Sequence, residues 1–246
     1  MSADGSHSPL QQFEITYFTH FNDVFGMNLN FSNSSLFMVL AVAGVSAFMI
    51  LSMRSRALVP GRWQSMAELM YTFVADLVKD TAGEEARPYF PFIFSIFMFV
   101  LFCNLLGMMP YSFTVTSHIA VTFALAAFIF IGVTVVGFVK HGAHFLSFFF
   151  PQGTPLPLAP LLILIELFAY LVRPLSLSVR LAANMLAGHT MLKVFAGFVV
   201  SMGAFGVGPL LFMAVLTGFE IFVALLQAYV FTILTSVYLN DALHLH

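Results

Sequence analysis

The sequence is short of charge. Nine Lys/Arg and eleven Asp/Glu make up only 8% of its 246 residues, whereas a soluble chain carries about one quarter. So few charges cannot cover a water-facing surface. The formal net charge of −2 leaves no basic footprint for nucleic acid. Cysteine is nearly absent as well: Cys103 alone, inside an apolar run, excludes a disulfide framework and a Cys-based zinc site. There is no Lys or Arg before Arg54, and no Walker-type Gly-rich loop for phosphate chemistry. What the chain has in quantity is apolar surface, with 60% of its residues in the hydrophobic class. An all-α integral membrane protein is expected, because lipid cannot satisfy bare backbone groups and helices satisfy their own.

Charges punctuate the chain, and the gaps between them give the spans. None occurs between Asp23 and Arg54, Arg87 and Lys140, Lys193 and Glu220, or Glu220 and Asp241. A helix needs about 20 apolar residues to cross roughly 30 Å of hydrocarbon. Five membrane helices are predicted, over 36–53, 89–109, 119–139, 158–203 and 209–240. The second and third form a hairpin broken from Pro110-Tyr111-Ser112 through Ser117-His118. The last two, separated by Gly203, Gly206, Gly208 and Pro209, are long enough to lie strongly tilted. Residues 1–33 form an external segment ahead of a single membrane domain, 34–246.

The charged stretch from Arg54 to Pro88 has a different pattern. Trp63, Met66, Leu69, Met70, Phe73, Leu77 and Val78 recur at helical spacing among Arg, Lys, Asp and Glu. The reading is an amphipathic helix, about 62–80, at the membrane surface; a water-facing connector is the alternative. Five Lys/Arg in 54–87 against none before Arg54 put this stretch inside and the N-terminus outside. Five crossings then return the C-terminus to the inside. The first residues lack the basic start and apolar core of a signal peptide.

Some charges sit where lipid penalises them. Glu166, Arg173, Arg180, Lys193 and Glu220 fall inside the last two apolar segments, and a charge at the bilayer centre costs about 2.5–3.5 kcal/mol on insertion scales. Such residues mark ion paths or buried pairs. For Arg173 and Lys193 a structural pair or a snorkelling end remains open. On a helical wheel Arg173 and Arg180 lie about 20° apart, with Glu166 and Asn184 about 40° to either side of Arg180. His189 falls on the opposite face, followed by Lys193, about 13 Å along the axis from Arg180. On the next segment Glu220 and Gln227, seven residues apart, share a face. Two offset polar tracks with an unneutralised cation between them look like two half-channels that never join. Ala182, Ala183, Ala187 and Gly188 flank the arginine and allow another helix to approach closely.

The stretch Arg173-Pro174-Leu175-Ser176-Leu177-Ser178-Val179-Arg180-Leu181-Ala182-Ala183-Asn184-Met185-Leu186-Ala187-Gly188-His189 resembles the signature of the a subunit of F-type ATP synthase, called subunit 6 in mitochondria. Supporting matches are Asn33-Ser34-Ser35-Leu36, Phe102-Cys103-Asn104 through Thr114, Lys140-His141-Gly142, Pro155 through Pro160, and Glu220 through Gln227 to Asp241. The resemblance implies a proton-conducting stator, without chemical catalysis of its own, beside a rotating c-ring and b-type peripheral stalk subunits. It needs no cofactor or metal and is embedded in the lipid of a bacterial inner or mitochondrial inner membrane. It assigns Arg180 to the ring's proton-carrying carboxylate. It assigns Glu166, Ser176 and Asn184 to the inner half-channel, and His189, Glu220 and Gln227 to the outer one. Arg173, Lys193, Asn104 and His118 are supporting candidates. The family has two versions with acid and histidine exchanged between two positions. His189 with Glu220 is the mitochondrial and alphaproteobacterial arrangement, and the exchange is a reason to expect the two side chains to meet.

His141 and His144 read as an interfacial loop rather than a metal site, and His244 and His246 as a tail. The functional alternative is a secondary transporter or ion channel with a midplane charged site. Transporters of that kind carry repeated halves with matching broken helices, and no internal repeat is evident here.

Overall fold

The computed structural model describes residues 17–19, 31–54, 59–109, 112–149 and 159–244. Most of the expected external segment 1–33, the Pro110-Tyr111 break, the Pro155 motif and His246 lie outside the described residues. Two short strands, β1 (Tyr17–Thr19) and β2 (Phe31–Ser32), pair antiparallel. Six α-helices follow: α1 (Asn33–Ser52), α2 (Arg62–Ala82), α3 (Phe90–Gly107), α4 (Ile119–His141), α5 (Ala159–Ser201) and α6 (Val207–Leu243). Short 3-10 helices precede α3 and α4, follow α4, and join α5 to α6.

Among the described residues, five helical segments are long and apolar enough to cross a membrane, those built on α1, α3, α4, α5 and α6. The sixth helix is the amphipathic α2, so the chain is a multi-pass, all-α membrane protein. Only 11% to 50% of each spanning window is buried within the protein. Large apolar side chains such as Ile50, Val139, Val200 and Phe205 point outward. In water that surface would be an aggregation hazard; in a bilayer it is the solvated face.

Local chemistry sets the helix ends. At the start of α1 the Ser32 hydroxyl accepts the Ser35 N–H at 3.3 Å, satisfying one of the donors a helix N-terminus leaves open. Helix α2 ends at Gly83, whose φ of 74° is a left-handed conformation that favours glycine, and whose N–H reaches the Lys79 carbonyl. One turn earlier Lys79 pairs with Glu84 at 3.0 Å, and that carboxylate raises the lysine above its ordinary value. At the end of α3 the Ser112 hydroxyl donates to the Gly107 carbonyl at 3.0 Å. Pro174 lies inside α5 and removes one backbone donor, yet the helix runs unbroken over its full 43 residues.

The described residues group into two compact units, and α1, α3, α5 and α6 each contribute to both. The first takes the chain up to Ser46, Phe99–His118 and Leu181–Gln227. Its buried side chains include Ala41, Leu101, Cys103, Leu181, Met185 and Ala224. The second takes Ala47–Met98, Ile119–Arg180 and Ala228–His246. Its core is built on Val74, Ile93, Met98, Ile129, Phe145 and Phe231. In this unit α2 turns Ala67, Val74 and Val78 inward, while Trp63, Met66, Leu69 and Phe73 remain exposed. That division leaves the apolar stripe of α2 available to lipid.

Candidate functional site

In the first unit, polar side chains collect in an otherwise apolar interior. Glu220 on α6 and His189 on α5 have side chains only 7% and 11% exposed, with His189 Nδ1 at 4.0 Å from Glu220 Oε1. Both Glu220 oxygens are buried and neither has a hydrogen-bond partner among the described residues. A buried carboxylate without hydrogen bonds is costly. The other ring nitrogen, His189 Nε2, lies 3.1 Å from Thr114 Oγ1. That hydroxyl donates, weakly, to the Gly107 carbonyl at 3.4 Å. With its one proton so used, Thr114 accepts from Nε2–H, and the neutral ring then turns its Nδ1 lone pair toward Glu220. A proton added to the ring therefore sits on the nitrogen facing the acid.

Close backbone approach makes room for Glu220. A Cβ at Gly188 would stand 2.2 Å from Glu220 Oε1 and 2.9 Å from its Cδ. Any larger residue at 188 must displace the carboxyl group. Two helical turns further along α6, the buried Gln227 accepts a hydrogen bond at its Oε1 from Asn184 Nδ2 at 3.1 Å. Asn104 of α3, fully buried, donates to the Ala224 carbonyl at 3.2 Å. His118 stacks on Phe113 with centroids 5.0 Å apart. Lys193 is half-buried one turn beyond His189. On the outward side of α5 this unit shows Ala183, Asn184 and Ala187, all exposed.

The second unit holds the two arginines in contrasting states. Arg173 Nη1 lies 2.7 Å from Asp241 Oδ2 near the end of α6. The rings of Tyr238, Tyr170 and Phe148 surround its guanidinium carbon at 5.1, 5.5 and 5.7 Å. Of the readings left open for Arg173, the geometry is that of a structural pair. Arg180 stands at the midpoint of α5, is exposed, and has no ion pair or hydrogen bond among the described residues. Ser176, one turn before it, is also exposed, and Glu166 is half-buried. Lys140 pairs with Glu85, and His141 Nε2 lies 3.1 Å from the Leu243 carbonyl oxygen, at the tail of the unit.

Sequence reasoning missed several of these residues. Thr114 lies in a connector and belongs to no helical stripe, and Asp241, though within about 40° of Gln227 on a helical wheel, is 68 residues from Arg173 in the sequence. The Asn184–Gln227 bond joins residues that the resemblance assigns to different half-channels.

Comparison with known proteins accords with this geometry. Residues 35–240 match the family described as ATP synthase A chain. A protein named ATP synthase subunit a from Pelagibacter ubique (strain HTCC1062) is 55% identical over 240 residues, which is 97% of this chain and 98% of the relative. Proteins of the same name from Paramagnetospirillum magneticum (strain ATCC 700264 / AMB-1) and Parvibaculum lavamentivorans (strain DS-1 / DSM 13023 / NCIMB 13966) are each 55% identical as well. They cover 97% and 96% of this chain and 99% and 93% of their own lengths. With the match running from the first membrane helix almost to the end of the last, the chain belongs to the ATP synthase A chain family.

Proposed function

We propose that the chain is the proton-translocating stator of an ATP synthase membrane sector, with Arg180 facing the proton-carrying carboxylate of a rotating c-ring. The observation that carries this reading is the state of Arg180: an exposed guanidinium, without an ion pair or hydrogen bond among the described residues, at the midpoint of a 43-residue membrane helix. An unpaired charge there costs several kcal/mol on most estimates, and a mobile carboxylate from a partner would offset it. A guanidinium is effectively always protonated, so Arg180 can pair with that carboxylate and repel a proton from passing straight through.

A proton taken up from the outer side reaches the Glu220–His189 pair and passes to the ring carboxylate. Neutralised, that site turns into lipid. After nearly a full turn, Arg180 favours release of the proton toward Glu166 and Ser176 on the inner side. The Asn184–Gln227 hydrogen bond ends the polar line of the first unit, one helical turn past Arg180 in the sequence. The small exposed residues Ala183 and Ala187 allow ring helices to come close. Peripheral stalk subunits of the b type hold the chain against rotation, and the phosphoryl chemistry belongs to other subunits.

Passive proton conduction tests the uptake step. In vesicles carrying the complex stripped of its catalytic sector, Glu220→Gln is expected to slow conduction about a hundredfold or more, the usual order for loss of one positioned proton-transfer group, while assembly persists. Wild-type conduction by the assembled variant contradicts the assignment.

A further inference from the structure

Arg173 and Arg180 occupy one stripe of α5, two turns and about 10 Å apart, yet they differ in state. Arg180 is exposed and has no ion pair or hydrogen bond among the described residues. Arg173 is 22% exposed at its side chain, paired with Asp241 at 2.7 Å, and enclosed by three aromatic rings. The enclosure is itself braced: the Tyr170 hydroxyl lies 2.7 Å from Thr134 Oγ1 on α4. Helices α4, α5 and α6 thus all contribute to holding one guanidinium in place. Simple helix packing does not call for that arrangement, since an apolar pair of similar volume would pack as well without burying charge.

We propose that Asp241 is a positioning residue that masks Arg173, so that Arg180 alone presents a free guanidinium to the mobile carboxylate. The inference rests on the proposed role of Arg180 and adds a requirement to it. Two free arginines on one stripe would give a carboxylate two resting places instead of one. They would also put a second positive charge beside Glu166, seven residues before Arg173, on the route by which protons leave. The aspartate cancels the charge, and the Tyr238, Tyr170 and Phe148 rings favour the cation in its parked position through their negative faces.

The test is a double-mutant cycle on the whole ATP synthase in sealed vesicles, with synthesis rates normalised to the amount of assembled complex. Asp241→Asn unmasks Arg173 and is expected to lower synthesis about tenfold, whereas Asp241→Asn with Arg173→Gln recovers at least about half of that loss on a logarithmic scale, an interaction between paired sites. Arg173→Gln alone should match the double mutant. A second readout separates masking from loss of packing. In Asp241→Asn a free Arg173 offers the ring carboxylate a second cation and holds it as an anion, so the inner-side pH for half-maximal synthesis moves down. It returns toward the wild-type value in the double mutant. A mere tie between α5 and α6 lowers the rate without moving that pH, and gives a double mutant no better than Asp241→Asn; either result overturns the proposal. Arg180→Ala is run alongside. If it retains synthesis, the reading of Arg180 fails first; if it loses synthesis and the double mutant is not rescued, only the masking role fails.

Discussion

Arg180→Ala is expected to abolish proton-driven ATP synthesis while leaving the complex assembled. Arg180 is exposed on α5 and has no ion pair or hydrogen bond among the described residues, so its removal breaks neither and relieves an unpaired intramembrane charge. What disappears is the electrostatic barrier together with the contact to the ring carboxylate. A loss of synthesis of about two to three orders of magnitude is the scale on which removal of an essential charge-stabilising group acts. Arg180→Lys is also expected to fail severely, because an ammonium is a strongly hydrated point charge that lacks the planar fork. Synthesis is read from an imposed pH gradient in vesicles, with the amount of complex quantified separately. Substantial ATP formation by assembled Arg180→Ala contradicts the assignment.

The second large effect concerns the pair His189 and Glu220, whose facing atoms are 4.0 Å apart. Glu220→His alone should stop most proton flow, because two imidazoles then face each other and no acid remains. The exchanged double mutant, His189→Glu with Glu220→His, restores one acid and one imidazole to the same cavity. It is expected to conduct about tenfold faster than Glu220→His, a coupling on the order of that seen for contacting ionisable groups. The exchange is imperfect for two reasons visible in the structure. The Gly188 backbone lies close against the carboxyl that the exchange replaces with a ring, and Thr114 is placed to accept from an imidazole N–H. Conduction is measured across pH, since the pair titrates as a unit. A double mutant no better than the single one, with an unchanged pH profile throughout, shows that the two residues do not share an uptake path.

The fold was readable because charge is excluded from lipid. Gaps between charged residues mark the helices that became α1, α3, α4 and α6, long apolar runs around isolated charges mark α5, and the apolar recurrence from Trp63 to Val78 marks α2. Arg180, Glu220 and His189 stood out for the same reason, as ionisable groups in segments that should hold none. Periodicity along one helix says which residues share a face, but not what the neighbouring helix brings to that face. The Arg173–Asp241 pair and the Asn184–Gln227 bond depend on the register of α5 against α6, which no local pattern encodes. Thr114 escaped because a neutral hydroxyl in a connector carries no hydropathy signal. Gly188 was legible only as one small residue among several. Its particular use, leaving room for the Glu220 carboxyl, follows from an approach between helices that only coordinates reveal.

The central claim is that the Arg180 face of α5 lies against a ring of partner helices, and proximity measures it most directly. Single cysteines at Ala183 and Ala187, both small and exposed, are paired with a cysteine beside the ring carboxylate, and Cys103 is left in place because it is buried. A cysteine at Val135 on α4, also exposed, serves as the lipid-facing control. The expected result is oxidative cross-linking to the ring from 183 and 187 and none from 135, with rotation-coupled ATP hydrolysis arrested in proportion to the cross-linked fraction. Cross-linking from Val135 but from neither Ala183 nor Ala187 contradicts it.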